Sequence, residues 1–112
     1  MGAIKPFLYT NFEQSVALGA RALNHPCRVK MMHLIWENKG LNSIDLANFF
    51  HMSKSTIHDH IRKLRDAGFV DVTYHPHYYS LSIDDKTYEK FNFLAEFFSE
   101  NPTSAFYLPI KH

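Results

Sequence analysis

The stretch from Asn42 to Gly68, NSIDLANFFHMSKSTIHDHIRKLRDAG, decides how the chain is read. It contains two helix starts. Asn42-Ser43-Ile44-Asp45 has the form of a capping box, with Asn42 as cap and an acid three residues on. The helix it opens is short, runs to about Phe50 and is expected to bury Ile44, Ala47 and Phe50. His51-Met52 is a brief turn, and Ser53 caps the next helix, which runs from Lys54 to about Ala67 and stops at Gly68. A helix advances about 100° per residue, which brings Ile57, Ile61 and Leu64 within about 40° of one line and makes them the buried stripe. Ser55, His58, Asp59, Arg62 and Asp66 are expected to face solvent, with Thr56 and Lys63 on one flank.

Beyond Gly68 the period changes from helical to alternating. Phe69-Val70-Asp71-Val72-Thr73-Tyr74 and Tyr78-Tyr79-Ser80-Leu81-Ser82-Ile83 are rich in β-branched and aromatic residues and flank His75-Pro76-His77, which reads as a hairpin. Asp84 or Asp85 then caps a last helix to about Phe98, with Tyr88, Phe91, Leu94, Ala95 and Phe98 on one side. Upstream, Glu13 to Leu23 suits a first helix, and Pro26 opens a second at the position where proline costs least, closed by Gly40. Val29, Met32, Ile35 and Trp36 give that second helix its apolar spacing. The order is α-α-α-α-β-β-α, mostly α with a small β component. Two helices across a short turn, followed at once by a hairpin, make a winged helix-turn-helix. Residues 1–12 read as an N-terminal arm and 13–98 as the DNA-binding and dimerisation domain. Residues 99–112 read as an apolar tail that packs on the domain or on a partner subunit.

Function follows from what the fourth helix shows to solvent. Its first turns carry small hydroxyls and an imidazole, groups short enough to reach base edges in a major groove. Arg62 and Lys63 lie further back, where charge on phosphate matters more than shape; Arg28 and Lys30 are further candidates for phosphate. The bland reading of the same face is an ordinary solvated helix on which Asp59 pairs with Arg62 or Lys63. Charge distribution bears on the choice. The net charge is only +1, but residues 1–68 carry nine Lys/Arg against five Asp/Glu, and residues 69–112 carry three against six. Phosphate responds to local potential, so a near-neutral total does not exclude a basic face.

Leu23-Asn24-His25-Pro26-Cys27-Arg28-Val29-Lys30, Leu46-Ala47, and the run Met52 to Val70 together resemble the ArsR/SmtB family of winged-helix repressors, over roughly residues 13–98. The resemblance implies a homodimer that binds a palindromic operator and represses nearby genes. It implies DNA-facing positions at Ser53, Lys54, Ser55, Thr56, His58 and Asp59, with the hairpin tip, His75 to His77, as wing. It also implies that the first and last helices form the dimer interface, here Val16, Ala20, Leu23, Tyr88, Phe91, Leu94, Ala95 and Phe98. Two features depart from the family. The wing has Asp71, Thr73, His75 and His77 where Arg or Lys is usual, so it either contributes little or acts when its histidines are protonated. The family's metal sensors carry Cys-x-Cys on the third helix or His/Asp/Glu ligands on the fifth. Here the third has no Cys and the fifth no His, so no metal sensing is expected through those sites.

Other chemistry is thin. Eight histidines include His25 beside Pro26-Cys27 and the pair His58 and His60, but none gives the i, i+4 pair plus third ligand that zinc chemistry uses. Cys27, the single cysteine, cannot form an internal disulfide, which suits a cytoplasmic protein. At a helix start it is either a redox-reactive thiol or inert filling. No nucleophile completes a triad with His58 and Asp59, and four glycines supply no phosphate loop, so no enzyme and no cofactor are expected. No segment reaches the roughly 18 apolar residues that cross a bilayer, and Met1 to Phe12 shows no secretion signal. The expected partners are double-stranded DNA and a second copy of the chain; the alternative is a winged-helix protein-interaction module without DNA affinity.

Overall fold

A computed structural model describes residues 8–99. Its elements are α1 (Asn11–Ala22), α2 (Pro26–Glu37), α3 (Ser43–Phe50), α4 (Lys54–Asp66), β1 (Asp71–Tyr74), β2 (Tyr79–Ser82) and α5 (Asp85–Ser99). The order and the mostly helical class are those expected. Among the described residues no helix is long and apolar enough to cross a membrane. Residues 1–7 of the expected arm and residues 100–112 of the expected tail lie outside the described residues.

Capping chemistry sets most of the boundaries. Thr10 accepts from the Glu13 amide and the Glu13 carboxylate accepts from the Thr10 amide, so α1 starts at Asn11, two residues before the expected Glu13. Asn42 and Asp45 form the anticipated reciprocal box on α3, and Ser53 Oγ accepts from the Thr56 amide on α4. The turn between α3 and α4 passes through His51 at φ 55°, a left-handed residue that closes α3. Gly68 follows α4 at φ 85°, and here glycine is needed, since a side chain would strain that conformation. Asp84 Oδ1 accepts from the Thr87 amide, which resolves the choice of cap for α5 in favour of Asp84.

One core joins α2, α3, α4, the hairpin and α5. Met31, Met32 and Ile35 of α2 meet Leu46 of α3, Ile57, Ile61 and Leu64 of α4, and Val70, Leu81 and Ile83 around the hairpin. The α4 stripe is the one the spacing predicts. On α3 the fully buried residue is Leu46; Ile44 is exposed, and Ala47 and Phe50 only pack against the rim. With Leu46 pointing inward, Ile44 lies two residues away, about 200° round the helix.

The hairpin is antiparallel, with Asp71 opposite Ser82, Val72 opposite Leu81, Thr73 opposite Ser80 and Tyr74 opposite Tyr79. Its root is fastened to the start of α3. Asn42 bridges to Ser80, and the buried Ser43 hydroxyl accepts from the Tyr79 amide at 2.8 Å. The wing is thereby held at a fixed angle to the helix-turn-helix.

Candidate nucleic-acid interface

The candidate site is the N-terminal half of α4. Helix α4 packs on α3 and α2 through Ile57, Ile61 and Leu64, leaving Ser53, Lys54, Ser55 and Thr56 exposed at its start. Three hydroxyls converge there. Ser53 Oγ donates to Thr56 Oγ1 at 2.9 Å and lies 3.3 Å from Ser55 Oγ. The opening turn of a helix presents amides without intrahelical partners and a partial positive charge. This end of α4 therefore combines short donors and acceptors with a field that favours an anion.

His58 departs from expectation. One residue on from Ile57 is only about 100° round the helix, on the flank where the hairpin packs and not on the open face. The Tyr79 ring stacks on the imidazole with centroids 4.0 Å apart, and His58 Nε2 is buried without a hydrogen-bond partner among the described residues. Burial, and secondarily Lys54, hold its pKa below the ordinary histidine value. His58 is thus a neutral ring under the wing root, and it reaches a base only if Tyr79 moves.

Asp59 takes the bland arrangement that its spacing allows. Its carboxylate accepts from Arg62, and from Lys63 Nζ at 2.6 Å. The Lys63 hydrogen bond, the largest cause, holds its pKa below the usual carboxylate value. Both cations expected to meet phosphate therefore share one anion. The wing differs as well. His75 turns back into the hairpin, with Nε2 2.9 Å from Ser80 Oγ and its ring stacked on Tyr78, while His77 is exposed. Arg65 and Tyr74, which no spacing in the sequence singles out, join α4 to the outer strand through a hydrogen bond from the guanidinium to the phenol oxygen. Tyr74 and Tyr79 lie edge to face at 4.7 Å, so the wing's outer surface is aromatic.

Arg28 is not available to phosphate. It is 5% exposed, and its guanidinium donates to the Ala22 and Arg21 carbonyls, to Asn24 Oδ1 and to His60 Nδ1. Lys30 is exposed, with its ammonium 6.0 Å from the Phe49 ring centre. Cys27 is buried behind His25, and burial, opposed more weakly by Arg28, pushes its thiol pKa up. This is the reverse of the activation that a helix start would give, so the reactive-thiol reading loses its physical basis.

His25, Cys27 and His60 bring ligand-type atoms within 4.8 Å of one another, a grouping the spacing did not reveal. Hydrogen bonding works against an ion there. His25 Nδ1 accepts from the Cys27 amide and His60 Nδ1 accepts from Arg28, so each imidazole's lone pair is already used and its proton sits on Nε2. A divalent cation would also have to approach the Arg28 guanidinium.

The expected dimer residues divide into three groups. Tyr88 and Phe91 are buried within their own chain: Tyr88 stacks on Trp36 at 4.4 Å and shares a hydrogen bond with His33, and Phe91 is 1% exposed. They dock α5 on α2. Leu23 packs on the core rim, and Ala95 is half-buried. Val16, Ala20, Leu94 and Phe98 lie on the surface, together with Phe12 at 76% exposure, Phe93 at 73% and Phe97 at 67%.

Helix-turn-helix, tethered two-stranded wing and an open α4 face define a winged helix-turn-helix protein. Known proteins agree with that class. Residues 25–72 match the family model for bacterial regulatory proteins of the arsR family, and over that segment the chain is similar to that family. Among solved structures, the chain is similar to a homodimeric winged helix-turn-helix DNA-binding domain from Mycobacterium bovis, described as a possible ArsR-family transcriptional regulator. The two share 15% identity over 90% of this chain and 93% of that one, with a TM-score of 0.69. It is also similar to NolR from Sinorhizobium fredii (20% identity, 87% and 96% coverage, TM-score 0.63) and to a MarR crystal structure (21%, 88% and 76%, 0.64). No curated protein sequence matches the chain.

Proposed function

We propose that the chain is a transcription regulator, a repressor, that binds double-stranded DNA sequence-specifically as a homodimer with α4 in the major groove. The observation that carries this is the open N-terminal end of α4. Lys54, Ser55 and Thr56 are exposed, and the described residues leave that side uncovered. Ser53, Lys54, Ser55 and Thr56 meet the duplex first, and Arg62 and Lys63 reach phosphate in exchange with Asp59. His77 is the wing residue nearest to use, and Tyr74 is exposed on the same hairpin. Val16, Ala20, Leu94 and Phe98, joined by Phe93 and Phe97, form the subunit contact, because an apolar surface of this extent is uncommon on a monomer. A two-fold pair sets the α4 helices about 34 Å apart, one turn of DNA. Such a protein acts by binding alone, in the cytoplasm where the chromosome lies.

The test is fluorescence anisotropy on duplexes selected from a random pool, against unselected duplex, at several salt concentrations. Ser55→Ala should cost about 1–3 kcal/mol on the selected duplex if its hydroxyl reads a base edge, and little on unselected DNA. Equal weakening on both would remove α4 from the reading role. No binding even at low salt would favour the protein-interaction module. In sedimentation equilibrium the native chain should run as a dimer, and Phe97→Asp should shift it toward monomer.

A further inference from the structure

We propose that Arg28 is a positioning residue for DNA binding: through His60 it ties the C-terminal end of α1 to the middle of the recognition helix α4. This inference rests on the reading that α4 binds DNA. Arg28 is a buried cation with no carboxylate among its hydrogen-bond partners in the described residues. Its Nε donates to the Ala22 carbonyl at 2.6 Å and Nη2 to the Arg21 carbonyl at 3.3 Å, both at the end of α1. Those carbonyls carry the negative end of the helix dipole, which supplies the missing counter-charge. Nη2 also donates to Asn24 Oδ1 at 3.2 Å, which steadies the turn between α1 and α2. Nη1 crosses to α4 and donates to His60 Nδ1 at 2.8 Å, a side chain 32 positions away in sequence.

One planar group thus holds two elements with different proposed duties: α1, at the subunit contact, and α4, at the duplex. A shift of α1 is transmitted to α4 through the fork. Lysine cannot replace it, because a single ammonium does not span both the α1 carbonyls and His60. The link also requires an unprotonated Nδ1. Around His60 stand Arg28, His25 and Cys27 from the start of α2, and Asp59 and Lys63 on α4 itself. Burial first, then Arg28, disfavours the imidazolium, so the link persists at neutral pH and opens in acid, below the ordinary histidine value.

The experiment compares the full-length native protein with Arg28→Lys, His60→Asn and His60→Leu by anisotropy on one duplex from about pH 5 to 8, the range in which a histidine titrates. Circular dichroism and sedimentation confirm fold and subunit state. Asparagine keeps an acceptor near the Nδ1 position and cannot take a proton. His60→Asn should bind within about threefold of the native chain at about pH 7.5 and outbind it roughly tenfold at the acid end, whereas His60→Leu and Arg28→Lys should be weakened about tenfold at every pH. Folded Arg28→Lys and His60→Leu proteins with native affinity would overturn the proposal while leaving the DNA reading intact. If Arg28→Lys does not fold, a His60→Asn profile that tracks the native one through acid overturns it equally. A native protein that binds no duplex at low salt ends the DNA reading, and this proposal with it.

Discussion

Replacing Asp59 by asparagine would show whether the cations of α4 are restrained or already committed to phosphate. In the free protein one carboxylate holds Arg62 at i+3 and Lys63 at i+4, the latter at 2.6 Å. Its pKa is lowered, chiefly by the Lys63 hydrogen bond, so it is ionised throughout the neutral range. The Asp59→Asn change would remove that charge and release both partners with little effect on the core, since the group stands at the surface. Each phosphate newly neutralised steepens the plot of log K against log salt by about 0.9. One added effective charge per subunit therefore strengthens binding roughly eightfold per subunit at about 0.1 M salt, the factor that a slope of 0.9 gives for a tenfold dilution from 1 M. Anisotropy with a random duplex at about 50, 100 and 200 mM salt measures slope and affinity together. An unchanged slope would refute the reasoning, because the two cations would then not face the backbone. A loss confined to one selected sequence would show instead that Asp59 accepts from a cytosine amino group.

Two further outcomes follow from the backbone and the buried rings. Gly68→Ala should destabilise the fold by about 1–2 kcal/mol, the cost of a left-handed alanine, since a methyl there meets nothing within 4 Å; urea unfolding reads it, and a neutral result would mean that the chain relaxes after α4. His58 and His60 both have pKa values lowered by burial, so their neutral forms favour the folded state. That contribution is complete above about pH 6.5 and is lost as pH falls through their folded values, so the urea midpoint of the native chain should drop in acid more than that of a His58→Asn, His60→Asn double variant.

The helices were legible because their signals are local. Pro26, Asn42 with Asp45, Ser53 and Gly68 act on the nearest turn of chain, and Ile57, Ile61 and Leu64 mark their face by spacing alone. The site was legible only in part. The exposure of Lys54 and Ser55 at the start of α4 needed no partner to be read. His58, His75 and Arg28 did, and each was misplaced because its surroundings come from other elements of the fold: Tyr79 for His58, Ser80 with Tyr78 for His75, and Ala22 with His60 for Arg28. Tyr88 and Phe91 fell short for a related reason. An apolar stripe on a terminal helix reads the same whether it covers its own subunit or a second one, and the difference lies in Trp36 and His33 on α2.

The charge arrangement on α4 also bounds how this protein can bind. The helix carries Lys54, Arg62, Lys63 and Arg65 against Asp59 and Asp66, and Arg65 is paired with Asp66. That leaves about two uncompensated cations per helix and about four in a dimer. Among the described residues the wing adds no Lys or Arg between Asp71 and Ser82. If α4 is the main contact, the slope of log K against log salt should be about −3.5, roughly four charges at about 0.9 each. So shallow a slope implies weak non-specific binding, and discrimination must then come from the hydroxyl-bearing first turn and from fit to the groove. The same titration on random duplex checks this. A slope of about −8 would mean that the backbone is held by other surfaces, with Lys30 of α2 and Lys39 of the turn after it the first to be mutated, and α4 would lose its place as the principal electrostatic contact.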